Sequence, residues 1–109
     1  MILKIEMCPT KIKTIQQLND AVGEDYLTLR VCIYEKKFLN TVKKFKKSEM
    51  RDLMTRMRYI LEYPQRGKHM SYNRYGQLEA YVGSFRLYYE YYEKENKVIF
   101  CEFSHKNYQ

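Results

Sequence analysis

At 109 residues, 45% of them hydrophobic, the chain is long enough for one domain with a modest core. It contains no apolar run of about 18 residues, which excludes a membrane-spanning helix, and its three cysteines, Cys8, Cys32 and Cys101, fit neither a disulfide framework nor a zinc site. The net charge of +7 sits wholly between Glu35 and Lys68, where 11 Lys and Arg stand against four Asp and Glu. Such a segment attracts a polyanion, nucleic acid foremost, although a solvated lysine-rich helix has the same composition. The N-terminus MILKIEMCPTKIK carries an acid at Glu6 and only a short apolar run, so no signal peptide is expected. Free thiols then suit a reducing, cytoplasmic setting.

Met1 to Met7 alternates weakly and reads as a short edge strand that Pro9 stops. Thr14-Ile15-Gln16-Gln17 has the form of a capping box, in which the hydroxyl takes the N3 amide while Gln17 reaches back. Ile15, Leu18 and Val22 line one face of a helix predicted over residues 14–22, and Gly23 ends it. Leu27 to Tyr34 (LTLRVCIY) reads as a strand with Leu29, Val31 and Ile33 on one side and Arg30 and Cys32 on the other. Helical period begins at Glu35, with Phe38, Leu39, Val42 and Phe45 recurring at three and four residues. Lys36, Lys37, Lys43, Lys44, Lys46 and Lys47 cover the rest of that surface. Ser48 is a good N-cap for a second helix, whose apolar stripe is Met50, Leu53, Met54, Met57, Ile60 and Leu61. Its methionines at this spacing fit core better than a soft binding groove. Tyr63-Pro64 ends it, since the residue before proline avoids the helical region.

Gln65 to Gly76 is predicted as a loop in which Arg66, Lys68, His69 and Arg74 interleave with Tyr72 and Tyr75, a mixture that suits bases and phosphates but also ordinary loop packing. Gln77 to Val82 is a strand, and Gly83-Ser84 turns the chain into Phe85 to Tyr92. There Phe85, Leu87, Tyr89 and Tyr91 share one face, and Arg86, Tyr88, Glu90 and Tyr92 the other. Glu93 to Lys97 turns a hairpin into a last strand, Val98 to Phe103, followed by the polar tail Ser104-His105-Lys106-Asn107-Tyr108-Gln109. A helical run followed by a meander of strands predicts an α+β fold. The two helices are expected to form a hairpin that lays its apolar side on the sheet.

From about Leu27 onward the chain resembles the RelE/ParE toxin superfamily. The resemblance rests on a first strand, a lysine-rich helical hairpin and a P-x-x-G-K loop, here Pro64-Gln65-Arg66-Gly67-Lys68. It continues through Leu78 to Gly83-Ser84-Phe85-Arg86-Leu87-Tyr88-Tyr89 and a final strand closing in His105-Lys106-Asn107-Tyr108. It implies a small antiparallel sheet of about four strands with the hairpin on one face and a basic concave site on the other, residues 27–109 as the main domain and residues 1–26 as an extension packed on it. Many members cut messenger RNA, often on the ribosome, without a metal or other cofactor. The substrate's 2′-hydroxyl attacks the adjacent phosphate, leaving a 2′,3′-cyclic phosphate and a 5′-hydroxyl. They are held inactive by an antitoxin partner. The ParE branch shares the fold but inhibits DNA gyrase; a non-catalytic RNA- or protein-binding domain is a third reading.

That chemistry needs cations for the phosphorane, a base for the 2′-hydroxyl and an acid for the leaving oxygen. Arg86 matches the arginine of the penultimate strand and can hold a phosphate in its fork, or else pair with Glu79, Glu90 or Glu102. His105 titrates near neutrality and can act as acid or base. Lys106 can clamp phosphate, and Tyr108 can stack a base or donate a proton, unless the tail is simply a frayed end. Lys43, Lys44, Lys46, Lys47, Arg66, Lys68, His69 and Arg74 are the expected RNA contacts. Glu90 and Glu102 lie close enough in sequence to quench such a site.

Overall fold

The computed structural model describes residues 12–45, 47–71 and 74–105, with only the backbone of Lys47. The N-terminal strand expected over residues 1–7, Lys46, Lys106 and Tyr108 lie outside the described residues.

The capping box forms as the sequence requires. Thr14 Oγ1 accepts from the Gln17 amide at 3.1 Å and Gln17 Oε1 accepts from the Thr14 amide at 3.3 Å. It opens α1 (Ile15–Val22), which buries Leu18 and Val22 and leaves Ile15 half exposed. Gly23, at φ +101°, reverses the chain into a second short helix, α2 (Glu24–Leu27).

The strand expected from Leu27 therefore starts later, as β1 (Val31–Tyr34). The β-prone Leu27-Thr28-Leu29 is turned back by bonds such as Thr28 N to Glu24 O at 3.0 Å. Pairing becomes available only where Val31 meets Lys97. Arg30 locks the junction, donating to Leu61 O at 2.8 Å and to Asn96 Oδ1 at 2.6 Å. Tertiary partners here override local propensity.

The helical hairpin is α3 (Lys36–Val42) and α4 (Lys47–Glu62). Phe38, Val42 and Phe45 from its first arm and Met50, Leu53, Met54, Met57, Ile60 and Leu61 from its second are all buried, so the methionines are core. Ser48, expected as the N-cap, lies inside the first turn of α4. After Tyr63 comes a 3-10 turn, Pro64–Arg66, and then β2 (Lys68–His69) inside what reads as a loop, where it pairs with Glu79 and Leu78.

β3 (Leu78–Val82), β4 (Phe85–Tyr92) and β5 (Lys97–His105) form the antiparallel meander. The sheet has five strands in the order β1-β5-β4-β3-β2, and β1 runs parallel to β5. This differs from a four-stranded, wholly antiparallel sheet. The long connection through the hairpin permits the parallel pairing, and β2 adds a fifth, two-residue strand at the far edge.

Alternation holds along β4 but breaks on β5. Tyr88 pairs with Glu102 while Tyr89 pairs with Phe100, so Cys101 is the extra residue of a bulge. Val98, Phe100 and Phe103 consequently all reach the helix side, together with Leu87 and Tyr89. On β1 it is Cys32 and Tyr34 that pack toward this core, with Tyr34 stacked on Phe38 and Phe100, whereas Val31 and Ile33 stay exposed on the open face. Among the described residues no helix is long and apolar enough to cross a membrane.

Candidate functional site

The sheet face away from the helices carries a cluster of ionised side chains. Glu102 on β5 is its centre: Lys37 of α3 pairs with one carboxylate oxygen at 2.5 Å and Arg74 with the other at 2.8 Å. Ser104 Oγ adds a hydrogen bond to Glu102 at 3.2 Å. Burial alone would raise the Glu102 carboxyl, but hydrogen bonds from Lys37 and Arg74 and their charges outweigh it and hold the group below the ordinary carboxylate range. Arg74 also lies 3.7 Å from the centroid of the Tyr88 ring, so its guanidinium is stacked as well as paired.

Arg86 on β4 repeats the arrangement one strand away. Its Nη1 donates to Glu79 Oε1 at 3.1 Å, and its guanidinium sits 4.2 Å from the Tyr81 ring centroid. Of the three carboxylates open to it on sequence grounds, Glu79 is the partner, because β3–β4 register sets Tyr81 opposite Arg86 and Glu79 opposite Tyr88. Tyr88, buried between the two ion pairs, has its phenol raised, by burial first, with Arg74 opposing and Glu79 reinforcing. The cluster thus holds three cations, each already bound to a carboxylate.

His105 does not join it. It pairs with Phe85, ring centroids 5.1 Å apart and nearly perpendicular, and Phe85 contacts Phe45 and Phe103 of the core side. Arg86 pairs with Ser104 and so belongs to the opposite face. His105 and Arg86 are one register step apart on paired strands, and the pleat sends them to opposite faces. Lys68 and His69 are exposed on β2, with Lys68 opposite Glu79. Arg66 stacks over Tyr63 at 4.4 Å and donates to Tyr59 Oη at 3.1 Å. Lys43 and Lys44 are exposed just after α3, with Lys43 beside residues 12–15, and among the described residues neither is bonded to the open-face cluster.

Sequence reasoning passed over Lys37, Tyr81 and Tyr88 as functional residues. Lys37 was one of many helix lysines, and only the fold brings it to β5. Tyr88 carried a signal, since it alternates with Arg86 on the polar face of β4.

The loop that leads to this face is pinned by Tyr89, whose hydroxyl donates to Pro64 O at 2.8 Å. Burial pushes that phenol up to about 12. Gly67 follows because a Cβ there would collide with the Tyr89 hydroxyl and lie 2.9 Å from Leu78 Cβ. One group of metal-capable side chains occurs among the described residues: Glu35, Glu90 and Cys101, with ligand atoms within 4.8 Å of one another at the bulge. Burial, then hydrogen bonding to the two carboxylates, holds the Cys101 thiol strongly protonated, which disfavours it as a nucleophile.

A helical hairpin laid on a mixed sheet whose other face is open and charged defines a class, the RelE-like toxin fold. Three solved structures match it. They are the RelBE2 toxin–antitoxin complex of Mycobacterium tuberculosis, with TM-score 0.61, 16% identity, and coverage of 71% of this chain and 98% of that one; the intact RelBE toxin–antitoxin complex of E. coli, at 0.59, 14%, 68% and 93%; and the archaeal RelE–RelB complex of Pyrococcus horikoshii OT3, at 0.60, 11%, 74% and 99%. No protein-family profile and no curated protein matches the sequence. The fold of this chain is therefore RelE-like.

Proposed function

We propose that the protein is the toxin of a type II toxin–antitoxin system, acting in the cytoplasm as a metal-independent endoribonuclease on messenger RNA, with the ribosome as the setting and a cognate antitoxin as its inhibitor. The observation that carries this reading is the convergence of Lys37, Arg74 and Arg86 on one open sheet face of a RelE-like fold. Such a face suits a scissile phosphate. In the reaction the 2′-oxygen bonds to phosphorus as the bond to the 5′-oxygen breaks; the 2′-hydroxyl proton leaves to a base and the 5′-oxygen gains one from an acid. The cations neutralise the charge that builds on the phosphorane oxygens, and fixed ones need no reorganisation to do so. A phosphate entering here replaces Glu79 or Glu102 as the counter-charge of Arg86 or Arg74. His105, which ends β5, and Lys106 and Tyr108, which follow it in sequence, are the candidates for proton transfer. Because His105 sits on the Phe85 face, its part requires the RNA to pass around the end of that strand. Lys43, Lys44, Lys46, Lys47, Arg66, Lys68 and His69 are further contacts to the RNA.

The same neutralisation favours a second reading, a toxin of this fold that acts on DNA gyrase or binds without cutting. The purified protein is incubated with messenger RNA, alone and with ribosomes, and the ends are mapped. Cleavage to 2′,3′-cyclic phosphate and 5′-hydroxyl ends is expected, with Arg86→Ala slowing it roughly 100-fold or more. Intact RNA under both conditions sinks the nuclease reading, and inhibited supercoiling in the same preparation selects the gyrase one.

A further inference from the structure

Arg56 and Arg58 of α4 point to different surroundings. Arg58 turns inward and donates to Val22 O at 2.8 Å and to Ala21 O, capping the end of α1. Arg56 turns to the sheet edge, where its Nε donates to Tyr81 O at 3.1 Å and its guanidinium lies 5.4 Å from the Tyr59 ring centroid. Arg66 continues the row, stacked on Tyr63 and bonded to the Tyr59 hydroxyl. The Tyr59 and Tyr63 rings are themselves 5.2 Å apart. Among the described residues neither Arg56 nor Arg66 has a carboxylate within ion-pair distance, whereas Lys37, Arg74 and Arg86 all do. Arg56 and Arg66 thus bring guanidinium charge without a carboxylate partner to this flank, whereas Arg74 and Arg86 on the open face are both paired.

This flank borders a cleft of about 470 Å³ between Thr55, Arg56 and Tyr59 of α4 and Tyr81 to Gly83 at the β3–β4 turn. β2 pairs with Leu78 and Glu79, and among the described residues the outer edge of β3 beyond them has no strand partner. Tyr81 joins the two regions: its carbonyl takes Arg56 and its half-exposed ring carries Arg86. We infer that Arg56, Tyr59, Tyr63, Arg66 and Tyr81 form a binding track for single-stranded RNA that leads along α4 to the open-face cluster. Unpaired guanidinium groups meet phosphates, and flat rings beside them accept unstacked bases. An acidic peptide would use the charge but has no need of the rings. Asp52, which also lines the cleft, narrows the favourable path to the side of the two arginines. The track rests on the RNA reading proposed above, but it is a matter of binding and separable from cleavage.

The test measures binding of a 2′-O-methyl oligonucleotide of about 12 nucleotides, which 2′-hydroxyl attack cannot cut, by fluorescence anisotropy over a salt series. Replacing Arg56 and Arg66 together by Ala is expected to weaken binding about tenfold or more and to flatten the slope of log K against log salt by roughly 1.4, two phosphate contacts on a single strand. Tyr59→Leu with Tyr63→Leu is expected to weaken binding about five-fold or more with the slope intact. R56K with R66K, which keeps charge and fold, is expected to keep the slope. Unchanged affinity and slope in the alanine pair, or no binding by the wild type, overturns the track, as does loss of affinity confined to an acidic peptide. Wild-type binding with this signature but no cleavage of ordinary RNA upholds the track and removes the nuclease; cleavage with an indifferent alanine pair does the reverse.

Discussion

Glu102 gathers Lys37, Arg74 and Ser104 on one carboxylate, and it is almost wholly buried. A carboxyl whose folded value is depressed contributes stability that is complete above its unfolded value, about 4.3, and is lost as pH falls through the lower folded one. Thermal unfolding of the wild type and of Glu102→Gln should therefore differ at pH 6, with the wild type more stable, and the gap should narrow as the pH drops below about 4. A gap unchanged at pH 3 would mean that the charge of Glu102 is not its source. The charges themselves were countable in the sequence, and the partners were not. Arg86 had three acids within reach along the chain, and strand register chose Glu79. His105 stands one residue beyond Ser104, the register partner of Arg86, yet the pleat sends it to Phe85 on the other side.

Between residue and molecule, the P-x-x-G-K loop shows why one element takes its shape. Pro64 fixes the start of a 3-10 turn, Tyr89 of β4 binds its carbonyl, and the approach is so close that residue 67 has no room for a side chain. Gly67→Ala is expected to destabilise the protein by about 1–3 kcal/mol through overpacking. Tyr89→Phe alone should cost about 1 kcal/mol, the worth of a buried hydrogen bond. Combined, the two should cost less than their sum, because removing the hydroxyl opens part of the space that the new methyl needs. Additive effects in a denaturant double-mutant cycle would contradict the collision. The glycine and the motif could be read directly; the tyrosine that requires the glycine is 22 positions away and could not.

At the scale of the whole molecule, the segment before β1 is docked onto the same core as the rest. Leu18 and Val22 are buried, Tyr34 Oη donates to Asn19 Oδ1 at 2.7 Å, and Arg58 of α4 closes the end of α1. Arg58→Ala removes a charged donor from two carbonyls and should cost about 1.5–3 kcal/mol. Amide exchange should then speed first in α1 and α2 while β4 and β5 hold their protection. Uniform acceleration across the chain would show that the segment is not a separately opening unit.

Unlike α2 and β2, the helical hairpin followed by the three-strand meander, the capping box at Thr14, the core stripe of α4 and the concentration of charge between Glu35 and Lys68 were all set by the sequence alone. Each depends on neighbours within a turn or two, and period and capping are local properties. The resemblance to RelE-like toxins was legible for the same reason, since it rests on the order and spacing of short motifs. The parallel pairing of β1, the two-residue β2, the exposed aliphatic face of Val31 and Ile33 and the assignment of Lys37, Arg74 and Arg86 to their carboxylates belong to the tertiary structure. A side chain's face depends on strand register, and the bulge at Cys101 shifts that register by one residue midway along β5. One residue is enough to move a group to the other side of a sheet. The separation of His105 from Arg86, and of the paired open face from the unpaired arginines of α4, was therefore decided by how the strands met.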